Sequence, residues 1–253
     1  MSHNDVLILI PARFASSRFP GKPLHEIRGK SMIQRVYENC LDSKAQVFVV
    51  TDDDKIENHV KNFGGAVVRI DDDVSSGSER IYLAYQRYFA DKNFSLVVNV
   101  QGDEPLLTGA ELAKLFAFQK KSSFAICTMV KRQYGFSDDF HSPDRVKAIY
   151  FERSGSCAYF SRAPIPYSRL VDLAIAEEQW FLHIGVYAYR PESLAKFYSA
   201  NPSYYEHHEK LEQLRALDVG LSIGAIETKL NLIGVDSPAD IKKVEGVLCE
   251  QEK

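Results

Sequence analysis

VLILIPARFASSRFPGKP, residues 6–23, joins five consecutive apolar residues to a loop of prolines, glycine and three cations. Val6–Ile10 is short, unbroken and rich in branched side chains, the pattern of a strand buried on both faces of a parallel sheet. Outward from it the chain alternates. Ser31–Leu41 carries Met32, Ile33, Val36, Tyr37 and Cys40 at helical spacing. Ala45–Thr51 reads as a strand, Lys55–Phe63 as a helix closed by Gly64-Gly65, Ala66–Ile70 as a strand and Ser78–Tyr88 as a helix. Ser95–Val100 is a further strand, running into Gln101-Gly102-Asp103-Glu104-Pro105. Such alternation predicts an α/β fold, a mostly parallel sheet with helices on both faces. Ligands of these sheets sit at the carboxyl ends of the strands, which points to three loops: Pro11–Pro23, Asp71–Arg80 and Gln101–Pro105.

The character changes over residues 131–190, which are rich in Tyr, Phe, Ser and Pro. Strand candidates at Val146–Phe151, Cys157–Phe160 and Ile184–Tyr189 predict an antiparallel insertion that extends the sheet and supplies the surface of a homodimer. A helix over Tyr204–Asp218, a strand over Ser222–Glu227 and a helix over Val235–Glu250, capped by Asp236-Ser237-Pro238, complete a single domain of residues 1–253.

The balance of 45% hydrophobic and 26% charged residues is that of a folded globular chain, and the net charge of −3 advertises no nucleic-acid surface. The cysteines, Cys40, Cys127, Cys157 and Cys249, form no CxxC pair and suit no zinc or disulfide framework. The apolar run Val6–Ile10 is too short for a membrane span or a signal-peptide core, so a cytoplasmic protein without membrane partners is expected.

Arg13, Arg18 and Lys22, at the carboxyl end of a strand, suit a triphosphate cradle. The loop matches neither GxxxxGK[ST] nor GxGxxG. A solvated basic turn is the plainer alternative, but Pro11, Pro20, Gly21 and Pro23 fix more dihedrals than such a turn needs. Asp103 either holds Mg²⁺ against phosphate oxygens or caps the segment that follows. Asp236 poses the same choice, and its Ser-Pro successor favours the cap. Arg80, Arg162 and His183 are isolated polar residues of a kind that more often serves structure. In EKLEQLR, Leu211 and Leu214 are core, and Glu212 and Gln213 have the spacing of a solvent face. Adjacent His207-His208 is poor zinc geometry, and no GxSxG signature supports hydrolase chemistry.

Taken together, IPARFASSRFPGKPL, TDDDKI, SSGSERI, VNVQGDEPL, VKAIYF, AYFSRAPIPY, HIGVYAYR, EKLEQLRAL and GVDSPADI occur in order along the chain. In this the sequence closely resembles the 3-deoxy-manno-octulosonate (Kdo) cytidylyltransferase family, from about Val6 to Val247. RFPGKP, YFSR and LEQLR narrow the likeness within the nucleotidylyltransferases. The resemblance implies a nucleotide-diphospho-sugar transferase-like fold and transfer of CMP from CTP to Kdo, for lipopolysaccharide synthesis. It matches Arg13, Arg18 and Lys22 to the phosphate-binding loop. Leu9, Pro11 and Ala12 match positions around the cytidine, with Ser76 and Gly77 closing on base and ribose. Gln101 matches a sugar- or nucleotide-side contact, and Asp103 and Asp236 the Mg²⁺ carboxylates. Arg80, Arg162, His183, Tyr187, Glu212 and Gln213 match the acid-sugar pocket. The chain departs from the family pattern at Ser78, Cys157-Ala158, Ser168-Arg169-Leu170 and Tyr204-Tyr205. These departures keep the 8-amino form of the sugar open as an acceptor. A non-catalytic nucleotide-binding regulator is the alternative from another class, against which the carboxylates at 103 and 236 speak.

Overall fold

The computed structural model describes residues 3–15, 19–74, 76–169 and 178–251. The chain divides into two compact units, Met1–Ala113 with Leu230–Lys253, and Lys114–Lys229.

The first unit is built on β1 (His3–Pro11), a 3₁₀ turn (Lys22–Leu24), the short hairpin β2 (Glu26–Ile27) and β3 (Lys30–Ser31), then α1 (Met32–Leu41), β4 (Ala45–Thr51), α2 (Asp54–Asn62), β5 (Val67–Arg69), α3 (Gly77–Tyr88) and β6 (Leu96–Val100). Its strands lie in the order β5-β4-β1-β6, all parallel. Val6–Ile10 are wholly buried at its centre, as an unbroken apolar run requires. Each helix starts where a side chain satisfies a free backbone N–H: Ser31 accepts from Gln34, Asp53 from Lys55 and Ile56, Ser76 from Glu79. Met32, Ile33, Val36, Tyr37 and Cys40 of α1 are buried, and Leu41 at its end is exposed. Gly64, at φ 78°, turns the chain out of α2. The C-terminal α9 (Pro238–Gln251) belongs to this unit, and the unit boundary falls within α4 (Gly109–Lys121).

The second unit contains β7 (Ile126–Tyr134), α5 (Asp138–His141), β8 (Lys147–Phe151), β9 (Ser156–Ser161), β10 (Gln179–Tyr189), α6 (Pro191–Ser199), α7 (Tyr204–Glu209), α8 (Gln213–Asp218) and β11 (Ile223–Glu227). Strands run in the order β10-β7-β11-β9-β8, and β8 pairs back onto β10, so the five strands close on themselves. Only β11–β7 is parallel; the other pairings are antiparallel. A mostly parallel sheet therefore describes the first unit alone. The antiparallel segment read at residues 131–190 lies inside the second unit, which also takes in α6, α7, α8 and β11.

The helix expected over Tyr204–Asp218 is two helices. Lys210 adopts a left-handed conformation, φ 52° and ψ 47°, and ends α7. Carbonyls freed by this break are taken by Arg162, whose Nε donates to Glu209 O at 2.7 Å. Cys40, Cys127 and Cys157 are buried and Cys249 is exposed. Burial pushes the Cys127 and Cys157 thiols up to about 12 and leaves them unreactive. Among the described residues no helix is long and apolar enough to cross a membrane.

Candidate active site

The carboxyl ends of β1 and β6, the start of α3 and the segment before α9 border a cavity of about 470 Å³ in the first unit. Pro11, Ala12, Arg13, Lys22, Ser76, Gly77, Arg80, Gln101, Asp103 and Asp236 all line it, together with Ala15, Pro23 and Gly102. Most sequence-predicted nucleotide residues are thus brought to one place. Leu9 is not among them; it is wholly buried within β1, between Phe48 and Asn99. Arg18 lies outside the described residues.

Close backbone approach shapes the floor. A Cβ on Gly77 would stand 3.1 Å from Pro11 Cβ, and one on Gly102 would stand 3.1 Å from Pro11 O. The first loop is folded back, with Gly21 N–H donating to Phe14 O at 3.0 Å and the Lys55 ammonium 4.5 Å from the Phe14 ring centre. This folding delivers Lys22, whose Nζ donates to Asp103 Oδ2 and to Val235 O, each at 2.7 Å. Val235 N–H in turn donates to Asp103 O at 3.0 Å, which ties the β6 loop to the segment carrying Asp236.

Just ahead of α9, where a cap is expected, Asp240 takes two backbone donors. Asp240 Oδ2 accepts from the backbone N–H of Asp236 (3.3 Å) and of Ser237 (3.0 Å). Asp240 is held below its ordinary pKa by Lys243, Ser237 and these N–H groups, against the opposing effect of burial, which is the largest single influence. Asp103 and Asp236 thus offer hard oxygen donors from two loops to one cavity. No group of three or more His, Cys, Asp or Glu among the described residues is arranged to hold a metal ion by itself. Two carboxylates suit Mg²⁺ when phosphate oxygens and water complete its shell.

Arg80, in the first turn of α3, is 4% exposed. Its Nη2 donates to Asp52 Oδ2 at 2.6 Å and its Nη1 to Ile70 O. Gln101 Nε2 donates to Asn99 Oδ1 at 3.2 Å, and Asn99 Nδ2 to Ser78 Oγ at 3.0 Å. Ser78, one of the departures from the family pattern, therefore stands in a polar chain that ends at a cavity residue.

In the second unit, His183, Tyr187 and Glu212 are brought together, and Gln213 follows Glu212 as the first residue of α8. His183 and Tyr187 have ring centres 5.5 Å apart, and Phe160 packs edge-on against His183. Tyr187 is pushed well above its ordinary pKa by burial first, then by Tyr189 and Glu212. Burial pushes His183 down to about 3, so it is a neutral hydrogen-bonding group and no cation. Its Nε2 lies 3.0 Å from Thr128 Oγ1, while that hydroxyl is within reach of the carbonyls of Ile184 (3.0 Å) and Val186 (2.8 Å). Carbonyls only accept, so the Thr128 hydrogen goes to one of them and His183 Nε2–H donates to Oγ1. The β10–β7 register shifts between Ile184 and Ala188, and this irregularity places Tyr187.

Gln213 is not on a solvent face. It is 6% exposed, and its Nε2 meets no hydrogen-bond acceptor among the described residues. Arg162 is spent largely on main-chain carbonyls: Glu209 (2.7 Å), Pro143 (2.8 Å) and Lys210 (3.5 Å). Sequence reasoning passed over Asp52, Thr128 and Glu209 as partners of site residues. Only Asp52 carried a signal, as the first acid after a strand.

Fold and cavity together define a nucleotidyltransferase, with cations and carboxylates gathered at the carboxyl ends of parallel strands. The cytidylyltransferase family model matches residues 7–223. A 3-deoxy-manno-octulosonate cytidylyltransferase of Porphyromonas gingivalis is 39% identical, over 98% of this chain and 98% of its own length. Another, from Cytophaga hutchinsonii, is 40% identical over 96% and 98%. The structure of CMP:2-keto-3-deoxy-manno-octonic acid synthetase complexed with CTP matches with a TM-score of 0.86 at 34% identity, covering 97% of this chain and 99% of that one. The chain belongs to the 3-deoxy-manno-octulosonate cytidylyltransferase family.

Proposed function

We propose that this chain transfers CMP from CTP to 3-deoxy-manno-octulosonate, releasing pyrophosphate and supplying an activated sugar for lipopolysaccharide synthesis. The observation that carries this reading is the gathering of Arg13, Lys22 and Arg80 with Asp103 and Asp236 around one cavity. The full-length likeness to Kdo cytidylyltransferases supports it.

The anomeric hydroxyl of the sugar gives up its proton to water and its oxygen attacks the α-phosphorus in line. A new P–O bond forms, the bond from the α-phosphorus to the bridging oxygen breaks, and pyrophosphate leaves with that electron pair. Arg13 and Lys22 balance charge gathering on the leaving group. Pro11, Ala12, Ser76 and Gly77 hold base and ribose by close backbone contact. Arg80 meets the sugar carboxylate, for which a buried guanidinium is suited. Gln101 contributes a polar contact beside it. The family likeness assigns His183, Tyr187, Glu212 and Gln213 to the sugar, and Gln213 Nε2, which meets no acceptor among the described residues, fits that use. Asp103 and Asp236 are the residues that would hold Mg²⁺. Bound there, it would neutralise phosphate charge and favour ionisation of the attacking hydroxyl.

Work in the cytoplasm as a homodimer belongs to the same reading. Tyr134, Phe151, Tyr167, Tyr204 and Tyr205, all exposed in the second unit, offer aromatic surface for self-association. Sedimentation of wild type beside a Tyr204→Ser, Tyr205→Ser variant tests it, a monomeric wild type counting against it.

The deciding experiment measures pyrophosphate release from CTP and Mg²⁺ with Kdo, its 8-amino analogue and N-acetylneuraminate as parallel acceptors. Release with Kdo is expected. Release with the analogue alone would replace the sugar. No release from folded, CTP-binding protein would favour a regulator.

A further inference from the structure

Arg80 sits in an awkward place for a cation. It lies in the first turn of α3, where the helix dipole and the free N–H groups favour negative charge. It is also almost wholly buried. Within the same cavity, Arg13 and Lys22 present further positive charge. A long side chain placed so would swing away, or turn toward any phosphate nearby.

Two contacts prevent this. Asp52, the first residue after β4, takes the Nη2 edge of the guanidinium at 2.6 Å, and Ile70 O takes Nη1. Asp72 adds a second, more distant negative charge that feels Arg80. Asp52 is itself anchored, because its carbonyl accepts from Arg69 Nη2 at 3.0 Å, and Arg69 is held in turn by Asp54, Glu57 and Asp71. No other protein acceptor takes the remaining N–H groups of Arg80 among the described residues. Asp52 does not line the cavity, whereas Arg80 does.

We infer that Asp52 is a positioning residue for the acidic sugar, fixing the rotamer and offsetting the charge of Arg80 so that its free N–H groups face the substrate carboxylate. The inference rests on the reading of Arg80 as the carboxylate contact. Asp52 touches no substrate. It acts by removing rotamer freedom that a bidentate contact would otherwise have to freeze.

The test is steady-state pyrophosphate release, with Kdo and CTP varied separately, on Asp52→Ala, Asp52→Asn, Arg80→Ala and the Asp52→Ala, Arg80→Ala double variant. Loss of a charge-assisted anchor is expected to raise the Kdo KM of Asp52→Ala about tenfold, with the CTP KM and kcat within about twofold. Asp52→Asn, which keeps an acceptor oxygen, recovers most of that loss. In the Arg80→Ala background the Asp52→Ala change adds less than about twofold, since a residue acting through Arg80 has nothing left to act on. Equal rises in both KM values, or full multiplication of the two single effects, would overturn the inference and give Asp52 a structural role. If Asp52→Ala does not fold, the cycle is run with Asp52→Ser, which removes the carboxylate, and a selective rise in Kdo KM that vanishes without Arg80 is expected. An unchanged Kdo KM in Arg80→Ala would instead remove the carboxylate reading of Arg80 itself, a result distinct from Arg80→Ala weakening Kdo while Asp52→Ala does not.

Discussion

Lys22 Nζ stands 2.7 Å from Asp103 Oδ2, and the same ammonium donates to Val235 O at 2.7 Å. The lysine comes from the loop after β1, the aspartate from the end of β6, and Val235 precedes Asp236. One cation therefore fastens three segments of the cavity while drawing the charge of a proposed metal carboxylate. Both side chains are largely shielded, at 17% and 32% exposure. Removing either leaves the other's charge without its partner next to the triphosphate. Asp103→Asn and Lys22→Met are each expected to lower kcat by on the order of 10²–10³-fold. Pyrophosphate release measures this, with CTP binding by calorimetry as the control for folding. Asp103→Asn turnover near wild type at saturating Mg²⁺ would remove the metal role of this carboxylate.

Much of the first unit was legible because local rules and tertiary structure agree there. Ala45–Thr51 is a strand with the bounds its pattern predicts, and Ser31, Asp53 and Ser76 cap their helices. Residues of the three loops named by the strand-end rule line one cavity. What escaped was non-local or lacked a periodic signature. α4 carries apolar residues around much of its circumference, Ala110, Leu112, Leu115, Phe116, Ala117 and Phe118, so no stripe announces it. β7 is obscured because Val130 runs straight into Lys131, Arg132 and Gln133 within one strand. The break at Lys210 has no glycine to mark it. The closure of β8 onto β10 is a property of pairing that no single segment encodes.

In the site, residue types alone favoured a cap for Asp236 and a solvent face for Glu212 and Gln213. Composition does not show that Asp240 will reach back to the N–H groups of Asp236 and Ser237, ahead of α9. Nor does helical spacing reveal that a six-residue helix buries Gln213 at its first position. The family likeness named these residues where the physics of isolated segments did not.

Gly77 offers a second check on the cavity floor. An added Cβ would meet Pro11 Cβ and Cγ at 3.1 and 3.2 Å, tighter than ordinary contact, while the backbone of Gly77 is already helical. The residue is thus required for closeness and not for conformation. Gly77→Ala is expected to displace Pro11 and to raise the CTP KM about tenfold with little change in unfolding temperature. A CTP KM equal to wild type would show that Pro11 yields without consequence for the nucleotide.

His183 supplies a prediction about pH and stability. Its ordinary value of 6.5 falls to about 3 on burial. Between those values the unfolded chain binds a proton that the folded chain refuses, so stability rises with pH across that window. The contribution is fully present above pH 6.5 and is lost as pH falls toward 3. The urea midpoint of wild type is expected to fall more steeply from pH 7 to pH 5 than that of His183→Asn, which has no group to titrate there. Parallel slopes would mean that His183 is protonated in the folded protein. The neutral ring also predicts no inflection from His183 in the pH profile of kcat/KM for Kdo above pH 5.

Arg162 separates a structural account of the sugar side from a purely ligand-binding one. Glu209 accepts from Ser161 Oγ at 2.5 Å and from Arg162 N at 2.9 Å, while its own carbonyl accepts from Arg162 Nε at 2.7 Å. Lys147, with no exposed surface, donates to the carbonyls of Arg162 (2.6 Å), Arg145 (2.5 Å) and Ser142 (2.9 Å). This lattice holds the end of β9 against the left-handed turn at Lys210, and that turn sets the start of α8 with Glu212 and Gln213. A lysine at 162 has one compact ammonium and cannot span carbonyls that a guanidinium fork reaches together. Arg162→Lys is therefore expected to cost on the order of 1–3 kcal/mol in urea denaturation and to raise the Kdo KM while sparing that for CTP. Glu209→Gln, which keeps one acceptor oxygen, loses less on both measures. A variant Arg162→Lys as stable as wild type but poor in Kdo binding would make Arg162 a ligand contact alone, and the carbonyl clamp incidental.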